Sequence, residues 1–327
     1  MLRCNAAEEK EKPVMILRSA ARCLARLSAV KGGVNCPEPL IMPAHRSIQP
    51  VPFLSVCIVT YEPDPGVLAA TFASLDKALS ALQAERGCTA SVCIVDNSTV
   101  STLRLPAHRF AGRLRQIHGQ GNVGFGRAHN LCLAEADGIG ELHLVLNPDV
   151  ELAADALVEA VDFMRQHEDC VLASPASRSG EGEAQHLCKR YPSVLDLALR
   201  GFAPTWLKRC FETRLARYEM REEKGCANDG QETPARVRWD IPIISGCFML
   251  LRGEAFRRLG GFDPRFFLYF EDFDLSLRAA RLGRIAHVPS IRIVHHGGHA
   301  ARKGWKHLVM FARSGLRFFG KHGWKLW

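Results

Sequence analysis

The stretch LSVCIVTYEPDPGVLAATFASLDKALSALQAERGCTASVCIVDNS, residues 54–98, decides the fold class because it contains two strand patterns separated by one helix pattern. Its first eight residues, 54–61, are mostly apolar and β-branched, which is typical of a buried strand. Residues 66–85 carry apolar side chains at helical spacing, and ASVCIVDNS, 90–98, repeats the strand pattern. A strand, a helix and a second strand predict a β–α–β unit with parallel strands.

The same alternation continues along the rest of the chain. The further strand patterns are LRQIH (114–118), ELHLVLNPD (141–149), CVLASP (170–175) and IPIISGCFMLLR (241–252), and the further helix patterns cover 126–137, 152–167 and 253–259. This order predicts an α/β fold with a mostly parallel central sheet flanked by helices. A length of 327 residues fits one large domain or two small ones.

Composition narrows the class of protein. An apolar content of 47% with 24% charged residues is ordinary for a globular chain and argues against disorder. The net charge of +9 favours an anionic partner, which can be a nucleotide phosphate, nucleic acid or a membrane surface. The twelve cysteines include no C-x-x-C pair, and this favours reduced core thiols and a cytoplasmic location. No uncharged apolar run approaches the ~20 residues that span a bilayer.

Three segments depart from the alternating pattern. Residues 1–50 are predicted to be an N-terminal extension, in which 14–30 either form an amphipathic helix that binds a membrane or a partner, or belong to a loosely ordered leader. Residues 178–238 are polar with weak periodicity, which predicts an insertion or an irregular helical segment. Residues 301–327 form a basic, aromatic tail, so the folded domain is expected to cover 51–300.

Oxygen-bearing side chains follow three of the predicted strands. They are Thr60 and Glu62 after the first strand, Asp96 and Asn97 after the second, and Asn147 and Asp149 after the fourth. Ligands of open α/β sheets bind outside the carboxyl ends of the strands. The sequence therefore predicts a ligand site at this edge of the sheet.

A glycine pattern in the third β–α unit imitates a dinucleotide fingerprint. Gly119, Gly121 and Gly124 spell G-x-G-x-x-G between a short strand and a helix. The pattern is in the third unit and not in the first. The nearest acid at the end of the next strand, Asp149, lies beyond a proline. Nicotinamide binding is therefore disfavoured.

The segment FFLYFEDFDL, residues 266–275, places three acids inside an aromatic run. One interpretation is structural: Asp272 or Asp274 caps the helix that follows, and Asp274 pairs with Arg278 four residues later. The other is functional, because carboxylates are costly to bury unless something pairs with them. The ten residues alone leave both interpretations open.

Six segments in order carry a resemblance to a known family. They are VCIVTY, CIVDNS, GNVGFGRAHN, LVLNPDV, SGCFMLLRGEAFRRLGGFDPRFFLYFEDFDLSLR and VHHGG, between about residues 54 and 300. Together they resemble a family 2 glycosyltransferase of the GT-A fold, and most of all its bacterial rhamnosyltransferase branch. One departure is Tyr61-Glu62, where relatives often have Tyr-Asn.

The resemblance implies a site for a nucleotide-sugar donor. Asn147-Pro148-Asp149 corresponds to the D-x-D motif, so Asp149 is expected to bind Mg²⁺ or Mn²⁺ on the donor diphosphate, although a plain turn is the alternative. The other donor-binding residues that the resemblance implies are Thr60, Glu62, Asp96, Asn97, Asn122, Gly124, Asn130 and Asn147. Of these, Asp96 is expected to contact the nucleobase or ribose, with an Asx turn as the alternative.

The resemblance also implies the catalytic residues. Asp272 corresponds to the base that deprotonates the acceptor hydroxyl, and Glu271 is expected to orient it or to contact the acceptor. Either His295 or His296 is expected to complete the metal or diphosphate site. A zinc site is the alternative for the HHGGH segment, which lacks the usual zinc spacing.

The tail from Ala301 to Trp327 contains seven lysines and arginines, no acids, and interleaved aromatic residues. A basic amphipathic helix of this kind is expected to bind an anionic membrane surface. Nucleic-acid binding and plain packing on the domain are the alternatives, and nucleic acid is not expected.

The resulting hypothesis is an inverting glycosyltransferase at the inner face of the cytoplasmic membrane. The resemblance implies transfer of a hexose, foremost L-rhamnose from dTDP-L-rhamnose, to a lipid-linked or growing surface glycan, with 178–238 as the acceptor region. The alternatives are a UDP-dependent galactosyl, galactofuranosyl or N-acetylhexosaminyl transferase, and a non-catalytic protein that binds nucleotide sugars or glycans.

Overall fold

A computed structural model describes residues 52–100, 103, 111–134, 138–221, 236–297 and 304–327. The predicted extension, 1–50, lies outside the described residues, as do 135–137 at the end of one predicted helix. None of the helices in the described ranges is long and apolar enough to cross a membrane.

Strands and helices alternate as the sequence predicts. The strands are β1 (Leu54–Thr60), β2 (Ala90–Asp96), β3 (Arg113–Ile117), β4 (Leu142–Leu146), β5 (Val150–Leu152), β6 (Cys170–Arg178), β7 (Ala184–Gln185), β8 (Cys188–Lys189), β9 (Arg238–Trp239), β10 (Ile243–Ile244), β11 (Phe248–Arg252) and β12 (Arg284–His295). The helices are α1 (Pro65–Arg86), α2 (Phe125–Asn130), α3 (Ala156–Gln166), α4 (Val194–Phe202), α5 (Thr205–Cys210), α6 (Glu212–Tyr218), α7 (Gly253–Arg258), α8 (Glu271–Ala279) and α9 (Gly304–His322).

The central sheet has the strand order β3-β2-β1-β4-β11-β6-β12-β5. The first four strands are parallel, and β11 lies antiparallel between β4 and β6. Strand β12 runs parallel to β6 and antiparallel to β5, so the sheet is mixed but mostly parallel in its N-terminal half. This arrangement brings the carboxyl ends of β1, β2 and β4 to one edge.

Helix α1 shows how the local sequence sets the bounds of an element. Asp64 caps its first turn by accepting the backbone N–H groups of Gly66 and Val67, and Pro65 opens the helix because it has no N–H to lose. Gly87 ends the helix in the left-handed conformation, at φ 63°. The predicted helix over 66–85 is therefore confirmed almost to the residue.

Two layers of helices cover the sheet. Helices α1 and α3 pack on one face, and residues of α2, α7 and α8 pack on the other. The helix predicted over 126–137 is shorter than expected, because α2 ends at Asn130 and Leu131–Ala134 form a 3-10 turn. The segment predicted to be an insertion or an irregular helical segment contains, in its described residues, three short helices, α4 to α6, and two short strands, β7 and β8.

Helix α9 packs on the domain with one face and exposes the other. Phe318 and Phe319 are buried in a cluster with Phe266 and Phe270. Full burial of one such aromatic side chain stabilises by about 1.5–3 kcal/mol, so this face anchors the helix. The opposite face exposes large apolar side chains: Trp305, Leu308, Val309 and Leu316.

Candidate active site

The ends of β1 and β2 are joined by hydrogen bonds between the predicted site residues. Thr60 Oγ1 donates to Asp96 Oδ1 over 3.0 Å, and Asn97 N donates to the Thr60 carbonyl over 2.8 Å. The backbone N–H of Ser98 also donates to Asp96 Oδ1, at 3.1 Å, which is the Asx-type contact considered from the sequence. Since Asp96 is 1% exposed, these contacts hold its carboxylate rigidly at the strand end.

The loop after β3 closes over this strand end. Gln120 Nε2 donates to the Asp96 carbonyl at 2.8 Å and to Asn97 Oδ1 at 3.2 Å, while Asn97 Nδ2 donates to the Gly124 carbonyl. Sequence reasoning missed Gln120, and the only signal for it was its position between Gly119 and Gly121. Asn97, predicted to bind the donor, is therefore also the residue that ties this loop to β2.

Position 124 requires glycine because the backbone of Phe267 lies too close for a side chain. Its φ is 90°, and a Cβ atom there would lie 2.3 Å from the Phe267 carbonyl oxygen. Phe125 N donates to that same carbonyl, and Asn122 Oδ1 accepts from Gly124 N at 3.1 Å. The loop thus lies against the segment that precedes α8. Its backbone forms a tight turn between β3 and α2.

Asn130 holds the backbone of Phe262 with both ends of its amide. Its Nδ2 donates to the Phe262 carbonyl at 2.7 Å, and its Oδ1 accepts from Phe262 N at 2.8 Å. Both amide groups are therefore used within the protein. The role of Asn130 in donor binding stays a prediction, while its structural role follows directly from these two bonds.

Glu62 lies at the rim of the site. Its backbone has a left-handed φ of 44°, and its N–H donates to Ser98 Oγ at 2.9 Å. The side chain itself is exposed. Asn is better suited than Glu to this backbone region, which accounts for the Asn of the Tyr-Asn pattern, whereas nothing in the structure explains the Glu of this chain.

Asp149 and His295 face each other across the β5–β12 pair. Antiparallel pairing aligns His295 with Val150, the residue after Asp149, so the two side chains meet. His295 Nε2 lies 3.5 Å from Asp149 Oδ1. Asp149 Oδ1 is buried, and no donor in the described part of the chain makes a hydrogen bond to it.

Gln185 orients the His295 ring. Gln185 Nε2 donates to the His295 carbonyl at 2.9 Å, so its Oε1 is the acceptor for His295 Nδ1–H at 3.1 Å. The Nε2 lone pair then points toward Asp149, which is the tautomer that a metal-binding imidazole needs. His296 instead bonds to Glu151 Oε1 at 2.6 Å, so the structure separates the two histidines that the sequence left as alternatives.

The residues present fit a divalent cation that is also bound by the substrate. They do not form a site in which the protein supplies all the ligands. Within the described ranges, no three His, Cys, Asp or Glu side chains form a metal-binding group. One carboxylate oxygen and one imidazole nitrogen are left for a cation whose other ligands come from phosphate and water. Asn147 contributes a further buried oxygen, Oδ1, which has no partner among the described residues.

Helix α8 begins at a strained turn that aims Glu271 and Asp272 into the site. Tyr269 and Phe270 both have left-handed φ values, 71° and 67°. Each such residue costs about 1–2 kcal/mol, and strain of this kind collects at functional sites. The residue at the cap position is Phe270, whose side chain makes no capping hydrogen bond. The interpretation of Asp272 or Asp274 as the N-cap residue is therefore wrong.

Asp272 and Glu271 have contrasting environments. Asp272 Oδ2 accepts from Gly246 N at 2.9 Å, and its Oδ1 accepts from Phe273 N at 2.9 Å. Glu271 is 5% exposed, and its Oε2 meets no hydrogen-bond partner in the described chain. Burial, with the charge of Asp272 next to it, raises the pKa of Glu271 to about 8. Burial also raises the pKa of Asp272.

Asp274 has a structural role. Its carboxylate is fully buried and pairs with Arg278 at 2.7 Å, as the i,i+4 spacing predicts. It also binds two residues of α9, Lys321 at 2.5 Å and His322 at 2.7 Å. The third acid of FFLYFEDFDL therefore joins α8 to the tail helix.

Gly246 and Cys247 connect the two halves of the site. Gly246 N bonds to Asp272, and the Cys247 carbonyl accepts from Asn147 N at 2.9 Å. A Cβ atom on Gly246 would lie 3.2 Å from the Cβ of Asp272, so a small residue is needed here. Adjacent residues thus hold the Asp149 side and the Asp272 side at a fixed separation.

A family model described as Glycosyl transferase family 2 matches residues 55–260. The chain belongs to this family. The matched range includes the ends of β1, β2 and β4 but stops before α8 and His295. The protein is a glycosyltransferase, and the first of the predicted site segments lie in the part that defines the family.

Curated relatives extend the similarity over most of the chain. An N-acetylglucosaminyl-diphospho-decaprenol L-rhamnosyltransferase of Mycobacterium tuberculosis is 28% identical over 289 residues, covering 83% of this chain and 86% of the relative. Rhamnosyltransferase WbbL of Escherichia coli K12 is 26% identical over 221 residues, covering 64% and 74%. The resemblance to the rhamnosyltransferase branch is thereby supported.

A solved structure supports the fold. GalNAc-T7, crystallised with UDP, GalNAc and Mn²⁺, superposes with a TM-score of 0.50 at 16% identity and covers 75% of this chain and 44% of the other. Together with the mixed sheet and its flanking helices, this confirms the predicted GT-A fold. Identity at this level carries no information about the donor.

Proposed function

We propose that the glycosyltransferase moves L-rhamnose from dTDP-L-rhamnose, with inversion, to a lipid-linked glycan. Both curated relatives are rhamnosyltransferases, which supports rhamnose as the sugar. The name of the mycobacterial relative also suggests the acceptor, an N-acetylglucosamine carried on a polyprenyl diphosphate. The same site geometry suits a UDP-sugar, which is the alternative donor.

Asp149 and His295 would hold the divalent cation, Mg²⁺ or Mn²⁺. Their facing Oδ1 and Nε2 atoms, 3.5 Å apart, support this assignment, and His296 is used by Glu151. When bound, such a cation stabilises the negative charge of the leaving nucleoside diphosphate. Asn147, which directly follows β4, is proposed to bind the donor phosphate or sugar through its buried Oδ1.

The nucleoside would bind along the ends of β1 and β2. Asp96 and Thr60 supply the rigid strand end, and the loop of Asn122 and Gly124 covers it. A carboxylate accepts hydrogen bonds from a pyrimidine N–H or a ribose hydroxyl, which suits Asp96 to this position.

Asp272 would act as the base. It accepts the proton of the acceptor hydroxyl while the oxygen forms its bond to the anomeric carbon and the bond from that carbon to the diphosphate oxygen breaks. The aromatic residues around α8 exclude water that would otherwise take the place of the acceptor. Glu271, neutral because of its raised pKa, would donate a hydrogen bond to the acceptor or orient Asp272.

One observation carries the proposal. The Gly246–Cys247 dipeptide ties Asp272 and the Asn147–Asp149 turn to the same two residues, so a base and a cation-binding pair flank a single space at the sheet edge. An inverting transferase needs a base on the acceptor side of the anomeric carbon and a charged group on the diphosphate side.

The first experiment separates donors by thermal shift. The purified protein is heated with dTDP, UDP or GDP, each with and without Mg²⁺ or Mn²⁺, since a ligand that binds only the folded state raises the melting temperature. We expect a metal-dependent rise with dTDP that is lost in Asp149→Ala. Asp155→Ala is the matched control, because Asp155 is half-exposed and its ion pair within the described ranges is with Arg292. If the melting temperature rises with UDP alone, the donor is a UDP-sugar and not dTDP-L-rhamnose.

The second experiment tests transfer. dTDP-L-rhamnose and a short-chain polyprenyl-diphosphate N-acetylglucosamine are incubated with the protein and Mg²⁺, and the lipid product is identified by mass. We expect addition of one deoxyhexose. Transfer from a UDP-sugar in place of dTDP-L-rhamnose would contradict the donor assignment.

The tail would attach the enzyme to the cytoplasmic face of the membrane, where a lipid-linked acceptor is found. The apolar face of α9 is next to basic residues such as Lys306 and Arg313, a combination that suits an anionic surface. The segment 178–238 contains Lys189 and Tyr218 of α6, which interact electrostatically with Asp272, and it would contribute to the acceptor side.

A further inference from the structure

We propose that Lys189 is a positioning residue that holds the negative charge of the Glu271–Asp272 pair on Asp272. The inference rests on the proposed function, in which Asp272 is the base. The carboxyl group of Glu271 is buried and that of Asp272 is partly buried, and two adjacent groups of this kind do not both ionise easily. One of them is therefore expected to carry the negative charge and the other to stay protonated. The surrounding contacts decide which of the two carries the charge.

Lys189 is a buried cation without a paired carboxylate. It is 6% exposed, and among the described residues its Nζ has one long hydrogen bond, 3.4 Å, to the His186 carbonyl. No carboxylate in the described part of the chain lies within ion-pair distance of Nζ. A buried ammonium group without compensation is costly, so a nearby negative charge is expected to account for it.

The backbone brings Lys189 close to Asp272. Strand β8 pairs with β10, which aligns Lys189 with Ile243. The chain then reaches Gly246, whose N–H binds Asp272 Oδ2, within three residues. Ser276 of α8 further joins the two elements, because its Oγ accepts from Ile244 N at 3.2 Å and donates to the Asp272 carbonyl at 2.8 Å.

The electrostatic environment singles out Lys189 as the cation. The titratable groups that act on Asp272 from the elements around it are Glu271 of α8, Lys189 of β8, Cys247 and Tyr218 of α6. Burial raises the pKa of Cys247 to about 12 and raises that of Tyr218 too, so both are neutral near pH 7. Burial and repulsion from Arg200 lower the pKa of Lys189, and attraction to Asp272, followed by Glu219, opposes this.

The division of charge then follows. Asp272 receives two backbone N–H groups and the field of Lys189, all of which favour the carboxylate. Glu271 Oε2 receives no partner within the described chain, which favours the protonated acid. The pair therefore offers a base and a neutral hydrogen-bond donor next to each other, and Lys189 maintains the difference.

The test is the pH dependence of kcat/KM, whose acid limb reports the free enzyme's base. Lys189→Met removes the charge at similar volume, and Lys189→Gln is a second neutral variant in case the first does not fold. We expect the acid limb to move up by about one pH unit, which is about a tenfold loss on that limb. Lys189→Arg, which keeps the charge, should retain the wild-type limb. Lys77→Met, an exposed lysine on α1, is the control.

Each outcome separates this inference from the proposed function. Asp272→Asn, measured alongside, should lose transfer by 10²-fold or more while the metal-dependent dTDP shift stays. Full activity of Asp272→Asn would overturn the base itself. If Asp272→Asn is inactive but the acid limb of the kcat/KM profile does not move in the neutral Lys189 variants, only the role of Lys189 is overturned. Equal losses in the Arg and Met variants with no limb shift would also overturn it, because they would indicate packing alone.

Discussion

His129 is buried between two aromatic rings and has no hydrogen-bond partner for either ring nitrogen in the described chain. Its ring centroid lies 4.5 Å from that of Phe125 and 5.6 Å from that of Phe262. Burial lowers the pKa of His129 well below 6.5, and repulsion from His143 adds to this. The neutral side chain behaves here as a core residue, and its protonation is linked to unfolding.

This linkage predicts an acid-sensitive fold. Because the folded pKa lies below the unfolded value of 6.5, the contribution to stability is present above pH 6.5 and is lost as pH falls below it. His129→Leu removes the titration without removing a hydrogen bond. We expect its free energy of unfolding to fall less steeply between pH 6.5 and 4.5, by up to about 1.4 kcal/mol per pH unit. Urea unfolding at several pH values measures this.

The exposed His118 provides the comparison. His118→Gln should follow the wild-type slope. If His129→Leu also follows the wild-type slope, burial of His129 does not couple its protonation to folding, and the assignment fails.

Gly124 and Gly119 share a left-handed backbone but differ in their surroundings. An alanine at either position costs about 1–2 kcal/mol for the backbone conformation. At Gly124 the new Cβ also meets the Phe267 carbonyl, whereas nothing lies within 4 Å at Gly119. We expect Gly124→Ala to lose about 1–3 kcal/mol more than Gly119→Ala in urea unfolding. Equal losses would mean that the loop moves away from α8 at little cost.

At the scale of elements, α9 is the support of the turn that starts α8. Tyr269 Oη lies 2.9 Å from His307 Nδ1, Ser314 Oγ donates to the Leu268 carbonyl at 2.8 Å, and Phe270 packs on Phe318. These contacts act on the two residues with left-handed φ and on their neighbour. The tail helix therefore holds the strained backbone that aims Glu271 and Asp272.

The buried ion pairs of Asp274 should dominate this support. Asp274→Asn leaves the partly buried Arg278 without its counter-charge, whereas Lys321 keeps its ion pair with Asp263. Loss of one partner from a buried pair costs about 3–5 kcal/mol. We expect a large fall in the free energy of unfolding. Asp240→Asn, which breaks the exposed pair with Arg284, is the control and should leave the unfolding midpoint unchanged. A small effect of Asp274→Asn would mean that α9 is held by its aromatic face alone.

At the scale of the molecule, most of the sheet could be predicted because its strands are short, apolar and β-branched, and the ends of β1, β2 and β4 carry the polar residues that an α/β edge uses. Contacts between segments that are distant in the sequence could not be predicted. The pairing of β5 with β12 brings Asp149 to His295 across 146 residues of chain, and no local pattern distinguishes His295 from His296. Lys189 and Gln120 lie in segments without periodicity, and only the folded chain gives them partners.

The distribution of exposed residues on α9 leads to a prediction for the whole molecule. Trp305 is 72% exposed and Leu316 62%, and they lie on the face opposite to the buried Phe318. Lys306 and Arg313 lie beside them and are exposed. Each basic residue near an anionic surface contributes about 1 kcal/mol, and this contribution is screened by salt.

We therefore expect the protein to cosediment with phosphatidylglycerol-containing vesicles more than with pure phosphatidylcholine vesicles, and less at 0.5 M salt. The double variant Lys306→Glu/Arg313→Glu should bind at least tenfold more weakly, because two attractions of about 1 kcal/mol each become repulsions. Trp305→Ser should weaken binding to both vesicle types by removing apolar contact. Lys77→Glu, an equal change of charge on α1, should have little effect. If Lys77→Glu weakens binding as much as a change on α9, net charge and not this helix face determines attachment.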